Sequence, residues 1–205
     1  MLDLLQRPAH SFLMKELPPS PTERLRPRTS RKPWATLTAL VLIFFSACDR
    51  SEVDLVDGAG IPTVAYGTKI TFGQNGNAER LKDFGWSKTE EKFTWSEGTT
   101  SVLRMRIPAT NDAIRLKIKM AALVKEPELS FQPVELDVNG QKIAEWQVGD
   151  PAEFTAAIPR DITTAGGDLT ITFKTPKATS PKALGVNTDP RVLGICCFEM
   201  ELSKG

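Results

Sequence analysis

The chain has 205 residues, with 26 Lys and Arg against 25 Asp and Glu and a single His. That length suits one domain with something added, and a composition 40% hydrophobic and 25% charged excludes a wholly disordered chain and a polytopic membrane protein. The balanced charge argues against a nucleic-acid partner. The only His, His10, precedes the folded part, which can therefore build no Ser-His-Asp triad, no Cys-His dyad and no His-ligated metal. No metal, no cofactor and no catalytic residue is expected, and a binding or structural module is favoured over an enzyme.

Residues 1–48 carry seven basic and three acidic side chains, and residues 49–205 carry 19 and 22. The basic residues Arg24, Arg26, Arg28, Arg31 and Lys32 crowd before the uncharged run 35–47. Its 13 residues would span about 20 Å as a helix, short of the roughly 30 Å of a bilayer core. They have the length of a signal-peptide apolar region. The run ends in Phe45-Ser46-Ala47-Cys48, which resembles the lipobox of bacterial lipoproteins. Phe45 departs from that pattern, where Leu, Val or Ile is usual. The resemblance implies a lipidated Cys48 and a mature protein on the periplasmic side of a bacterial cell envelope, and Asp49 favours the inner membrane. The other reading is a signal anchor that stays as a transmembrane helix, with Cys48 incidental. Translation starts at Met1, giving a short cytoplasmic tail, or at Met14. Residues 49–61 are acidic and then glycine-rich, the character of a tether, and residues 62–205 form the domain.

Short alternating runs between Gly, Pro, Asn and Asp make that domain all-β. Residues 68–72 alternate and stop at Gly73. Residues 77–84 are expected as two helical turns, with Asn77 as N-cap, Leu81 and Phe84 on one face, and Gly85 at the end. Residues 92–96 form a strand with Phe93 and Trp95 on one side, and Trp95 is expected in the core. Leu103, Met105 and Ile107 point inward in the next strand, and Ile114, Leu116, Ile118 and Met120 in the one after. Val134, Leu136 and Val138 share a face before Asn139-Gly140, which specifies a type I′ hairpin because both central residues need positive φ. A strict two-residue turn pairs Leu136 with Ile143 and puts Trp146 on the opposite face. Either a bulge resets the register or Trp146 lies outside. Phe154, Ala156 and Ile158 mark one further strand, and Leu169, Ile171 and Phe173 another. The last strand is expected to point Cys196, Phe198, Met200 and Leu202 inward and Cys197, Glu199 and Glu201 outward. About nine strands in such a length close as an antiparallel two-sheet β-sandwich, jelly-roll-like.

Cys196 and Cys197 are adjacent, without the spacing of a metal site; Cys197, if outward, could oxidise or pair between molecules. The outward cations Arg104, Arg106, Arg115, Lys117 and Lys119 either pair across strands with Glu135, Asp137, Glu199 and Glu201 or offer a cationic face to anionic glycan or lipid headgroups. Sugars lay their C–H faces on flat aromatic rings and take hydrogen bonds from carboxylates, amides and Arg. Trp86, Trp95 and Trp146 are the candidate platforms, each with a core role as the plainer alternative. Trp86 follows a glycine in a loop and stands four residues before Glu90.

Four segments together carry a resemblance: FGQNGNA (72–78), GWSKTEEKFTWSEGTTSVLRMRIP (85–108), VELDVNGQKIAEW (134–146) and SPKALGVNTDPRVLGI (180–195). Their order and spacing resemble the periplasmic β-sandwich module at the C-terminal end of phosphoglycerol transferase I, and modules appended to bacterial membrane glycosyltransferases. The matching positions are Gly85, Trp86, Ser87, Glu90, Trp95, Asn139, Gly140, Trp146, Ser180, Pro181, Leu184, Gly185, Asp189, Arg191, Leu193 and Gly194. The sulfatase-like catalytic part of that transferase has no counterpart here. The resemblance implies an accessory module, non-catalytic, that binds glycan or serves a polysaccharide-modifying membrane enzyme. Trp86, Glu90, Trp146, Asp189 and Arg191 are the candidate ligand-binding residues; Trp86 with Glu90, and Asp189 with Arg191, are otherwise a structural ion pair and its cover. The rival readings are a glycan-active enzyme using Glu90 and Asp189, and a purely structural subunit of an envelope assembly.

Overall fold

A computed structural model describes residues 60–205. The leader 1–48 with Cys48, and residues 49–59 of the expected tether, lie outside the described residues. Among the described residues no helix is long and apolar enough to cross a membrane.

The described chain is an antiparallel two-sheet β-sandwich. Its strands are β1 (Lys69–Thr71), β2 (Lys82–Phe84), β3 (Thr94–Glu97), β4 (Thr100–Ile107), β5 (Ile114–Ala122), β6 (Gln132–Val138), β7 (Gln141–Val148), β8 (Ala152–Ile158), β9 (Gly167–Lys174) and β10 (Leu193–Lys204). The first sheet runs β1-β10-β5-β8, with β3 also paired to β10, and the second runs β2-β4-β9-β6-β7. The period-two runs build this core as expected: Leu103 and Met105 of β4, Leu116 and Ile118 of β5, Leu136 of β6, and Ile171 and Phe173 of β9 are all buried between the sheets. Full burial of each such side chain contributes about 1.5–3 kcal/mol. The Asn139-Gly140 turn has φ of 48° and 80° at its two residues, the left-handed pair that a type I′ hairpin requires.

Of the outward cations, Arg104, Arg106 and Lys117 pair across strands, but with Asp83, Asp168 and Glu153 rather than with the acids expected; Glu135, Asp137 and Glu199 take lysines outside that stripe. Lys174 joins Glu135 and Asp137, Lys142 joins Glu135 and Glu145, Arg106 meets Asp168, and Lys69 meets Glu199. Most of these pairs are solvated, so water and salt screen them and they contribute little to stability.

Three local expectations are corrected, and the alternative left open in β7 is decided. Residues 77–84 are not two helical turns. Ala78–Leu81 is a single 3-10 turn, and the chain goes straight into β2, leaving Phe84 64% exposed. The Asn77 side chain does not cap it: its Oδ1 accepts the Thr71 N–H at 2.9 Å and its amide donates to the Lys69 carbonyl at 3.0 Å, tying the loop to β1. The one α-helix among the described residues is Arg160–Ala165 (α1), which starts directly after Pro159.

The second correction concerns β3, which is inverted relative to its hydrophobicity. Thr94 and Ser96 are buried and Phe93 and Trp95 face outward, half-buried. The reason is hydrogen bonding. Thr94 Oγ1 donates to the Phe72 carbonyl at 2.7 Å, and Ser96 Oγ accepts the Ile195 N–H at 2.9 Å. Both hydroxyls are satisfied inside, so burial costs little.

Third, a bulge at Phe198 resets β10: Cys197 pairs with Met120, and Glu199 pairs next with Lys119. Below the bulge Met200 and Leu202 still face the core; above it Cys197, not Cys196, does. Burial pushes the Cys197 thiol well up and holds the Cys196 thiol at about 11, and both are free. Because the thiolate is the reactive form, neither should be alkylated by iodoacetamide at pH 8 in the native full chain, while both react after denaturation. Native labelling of either, read by peptide mass, would contradict this placement.

In β7 the bulge alternative holds. Val138 and Asp137 pair with Gln141 and Lys142, then Leu136 pairs with Ala144 and Val134 with Trp146. Ile143 is the extra residue, and Trp146 turns toward the core.

Candidate functional site

Two loops and one strand converge at the β2–β3 edge of the sandwich. The segment entering β3 folds back along it. Trp86 bridges to Ser96, the Ser87 N–H donates to the Trp95 carbonyl at 3.0 Å, and the Glu90 N–H donates to the Phe93 carbonyl at 2.9 Å. Gly85 starts this segment with φ of 70°, and a side chain there would overlap the Thr100 carbonyl, so only glycine fits. The loop 175–192 is pinned at its ends by the Thr179–Leu193 bridge and by the Gly98 N–H, which donates to the Val192 carbonyl at 2.8 Å.

That pinning delivers Arg191 to the β3 loop. Arg191 forks onto Asp189, with Nη2 2.6 Å and Nε 3.0 Å from Oδ2, and its backbone N–H donates to Oδ1 at 2.9 Å. Its other arm reaches Ser87 Oγ at 3.4 Å, and Nη2 stands 3.7 Å from Glu90 Oε1. The Arg191 guanidinium holds the Asp189 carboxyl below its ordinary range, and Asp189 in turn raises Arg191. A carboxylate whose folded pKa is depressed contributes stability above its unfolded value, about 3.9. That contribution fades as pH falls below 3.9 and through the folded value. Acid should therefore loosen the 175–192 loop, and Arg191→Met should flatten the effect. Hydrogen exchange of the Arg191 and Asp189 amides between pH 5 and 2.5 measures it; a pH profile unchanged by Arg191→Met would contradict the assignment.

The structure thus brings Glu90, Asp189 and Arg191 together, while the Trp86 ring beside them turns to the core and Trp146 lies elsewhere. Trp86 is a partly buried wedge packed against the core. Its indole N–H donates to the Val102 carbonyl at 2.8 Å, and its ring lies 5.6 Å from Phe72 and 6.2 Å from Phe173. Trp146 lies at the opposite, β7–β8 edge, 5.4 Å from Phe154, where the two rings close the gap between the sheets.

The outward aromatic surface is one the sequence reading assigned to the core. Phe93 packs edge-on to Trp95 at 5.9 Å and to Phe198 at 5.5 Å, all three half-buried. Trp95 is the cross-strand partner of Cys196, on the outer face of the first sheet. The signal that could have found it is the Thr94/Ser96 alternation in β3, read as hydroxyls turned toward backbone partners. Among the described residues no group of three or more His, Cys, Asp or Glu could hold a metal ion.

No protein-family model matches the chain, and no curated protein matches it in sequence. Solved structures resemble it in fold. One is the CBM36-1 domain of a multidomain xylanase from the hindgut metagenome of Trinervitermes trinervoides, 12% identical, covering 67% of this chain and 97% of that one at a TM-score of 0.43. Another is CsCBM6-3 from Clostridium stercorarium in complex with cellobiose, 10% identical, covering 70% and 98% at 0.43. A third is the mosquito-larvicidal Cry4Aa toxin from Bacillus thuringiensis, 9% identical, covering 70% of this chain and 24% of the toxin at 0.43. At these values each is a likeness in the arrangement of strands.

Proposed function

We propose that this chain is a non-catalytic glycan-binding module of the bacterial cell envelope, held at the membrane through a lipidated Cys48 and working beside a polysaccharide-modifying membrane enzyme. The observation that carries the binding part is the outward Phe93–Trp95–Phe198 cluster beside the Arg191–Asp189–Glu90 group. A half-buried ring on the outer face of a strand offers a stacking face. A guanidinium and two carboxylates next to it supply hydrogen bonds to hydroxyls. Trp95 replaces Trp86 and Trp146 as the platform. The lipobox-like Phe45-Ser46-Ala47-Cys48 and the resemblance to the phosphoglycerol transferase module support the envelope setting.

Catalysis by the two carboxylates is the weaker reading. A general acid needs a raised pKa, whereas Arg191 holds Asp189 down. Electrophoresis of the full chain in gels containing envelope glycan should retard it without releasing new sugar ends. Unretarded migration contradicts binding, and turnover that disappears in Glu90→Gln contradicts a non-catalytic role.

A further inference from the structure

The 72–78 segment, FGQNGNA, takes no part in the aromatic site, yet it forms one wall of a cleft of about 330 Å³. The cleft is lined by Gly73, Gln74, Gly76, Glu79, Lys88 and Thr89. That volume is at the small end of ligand pockets, roughly 300–1,000 Å³, enough for one sugar ring and not for a chain. A side chain at Gly73 would come within 2.6 Å of the Glu91 carbonyl oxygen, and one at Gly76 would overlap the Thr71 carbonyl. Neither position tolerates a side chain, so bare backbone forms that stretch of wall.

The opposite wall is held by a buried charge. The Lys82 side chain is only 8% exposed; its Nζ stands 2.5 Å from Glu79 Oε2 and donates to Thr89 Oγ1 at 2.8 Å. Thr89 Oγ1 donates in turn to Glu79 Oε2 at 2.8 Å. Lys82 thus fixes both cleft groups before any ligand arrives, which removes part of the ordering cost of binding. Among the described residues the Gln74 amide, the Lys88 ammonium and Glu79 Oε1 keep their hydrogen-bonding capacity unspent. The wall is no phosphate cradle, because the Gln74 and Gly76 N–H groups are already given to the Glu91 and Gly73 carbonyls at 3.3 and 2.8 Å. One amide, one ammonium and one carboxylate oxygen suit the donors and acceptors of neighbouring hydroxyls.

We infer that this cleft takes a single neutral pyranose residue, the end of a glycan whose following residues lie on the Phe93–Trp95–Phe198 surface. The inference rests on the glycan-binding reading above. The two sites share the 87–93 loop: Thr89 lines the cleft, and the next residue, Glu90, meets Arg191.

The test is an NMR titration of the full chain in detergent with neutral gluco-oligosaccharides, and separately with inorganic phosphate. Both inferences predict that the oligosaccharide shifts the Trp95 indole signal together with the Gln74 and Thr89 amides. Gln74→Ala and Lys88→Ala, both at exposed positions that leave the fold intact, should each weaken binding about tenfold. Shifts at Trp95 alone, with both variants binding as wild type, overturn the cleft and leave the aromatic surface standing. Shifts in the cleft alone overturn the aromatic reading and the shared ligand. Phosphate shifting Lys88 and Gln74 where the sugar does not overturns the pyranose assignment. No shift with any oligosaccharide overturns both.

Discussion

Trp86→Ala is expected to destabilise the domain by about 3 kcal/mol, the lower end of the usual cost of removing a large aromatic side chain, because the ring packs against the core but is only partly buried. Trp86 fills the space between Phe72 and Phe173 and donates its indole N–H to the Val102 carbonyl on β4, so its loss opens a cavity and removes a cross-segment hydrogen bond. The ring also anchors the segment that carries Ser87 and Glu90, which would lose its docking onto the sandwich. For a domain of this size the change lowers the melting temperature by roughly 10 °C. Thermal unfolding followed by far-ultraviolet circular dichroism measures it. A melting temperature within about 2 °C of wild type would mean that Trp86 is a surface ring, contrary to its placement here.

Trp95→Ala is expected to behave in the opposite way. Its ring stacks edge-on with Phe93 outside the sheet, and the inward contacts of β3 come from Thr94 and Ser96. Losing one half-buried aromatic pair on the outer face costs about 1 kcal/mol beyond the area it buries, and the fold survives. Losing a central aromatic contact to a ligand typically costs 2 kcal/mol or more, about 30-fold in affinity. The two tryptophans, nine residues apart in sequence, therefore divide between scaffold and recognition by the face on which each falls.

Much of this architecture is legible in the chain. β4, β5 and β9 alternate without interruption, so their inward faces follow from period two alone, and Asn139-Gly140 fixes the β6–β7 hairpin through backbone conformation. Each error traces to something that period two does not contain. Phe198 is an extra residue in β10, and one inserted residue reverses every side chain beyond it; that exchanged the roles of Cys196 and Cys197. β3 reads as aromatic-inward on hydrophobicity, but Thr94 and Ser96 have backbone partners waiting inside, and satisfied hydroxyls can be buried as readily as rings. Asn77 has the look of a helix cap, and spends both side-chain groups on β1 instead.

The site was legible in part. Glu90, Asp189 and Arg191 stood out as polar loop residues that packing does not demand, and the fold brings them together. Their convergence depends on β10 passing beside β3, a long-range pairing with no local signature. Trp86 and Trp146 were singled out by residue type, and type does not say which face of a strand a ring takes. Trp95 shares a face with Phe93, which reads as a core pair on hydrophobicity and is instead the arrangement that makes the two an outward surface. The Gly73–Gly76 wall was visible only as a glycine-rich loop, because its close approach to the Thr71 and Glu91 carbonyls is tertiary.

Glycan binding by this protein requires recognition at the outward aromatic cluster. The most direct measurement is an intrinsic-fluorescence titration of wild type and Trp95→Ala with cell-envelope oligosaccharides, the thermal stability of both being recorded alongside. Saturable binding by wild type, weakened about 30-fold or lost in a folded Trp95→Ala, is the predicted result. Equal binding by the two proteins, or no response of wild type to either neutral or anionic glycans, would contradict it.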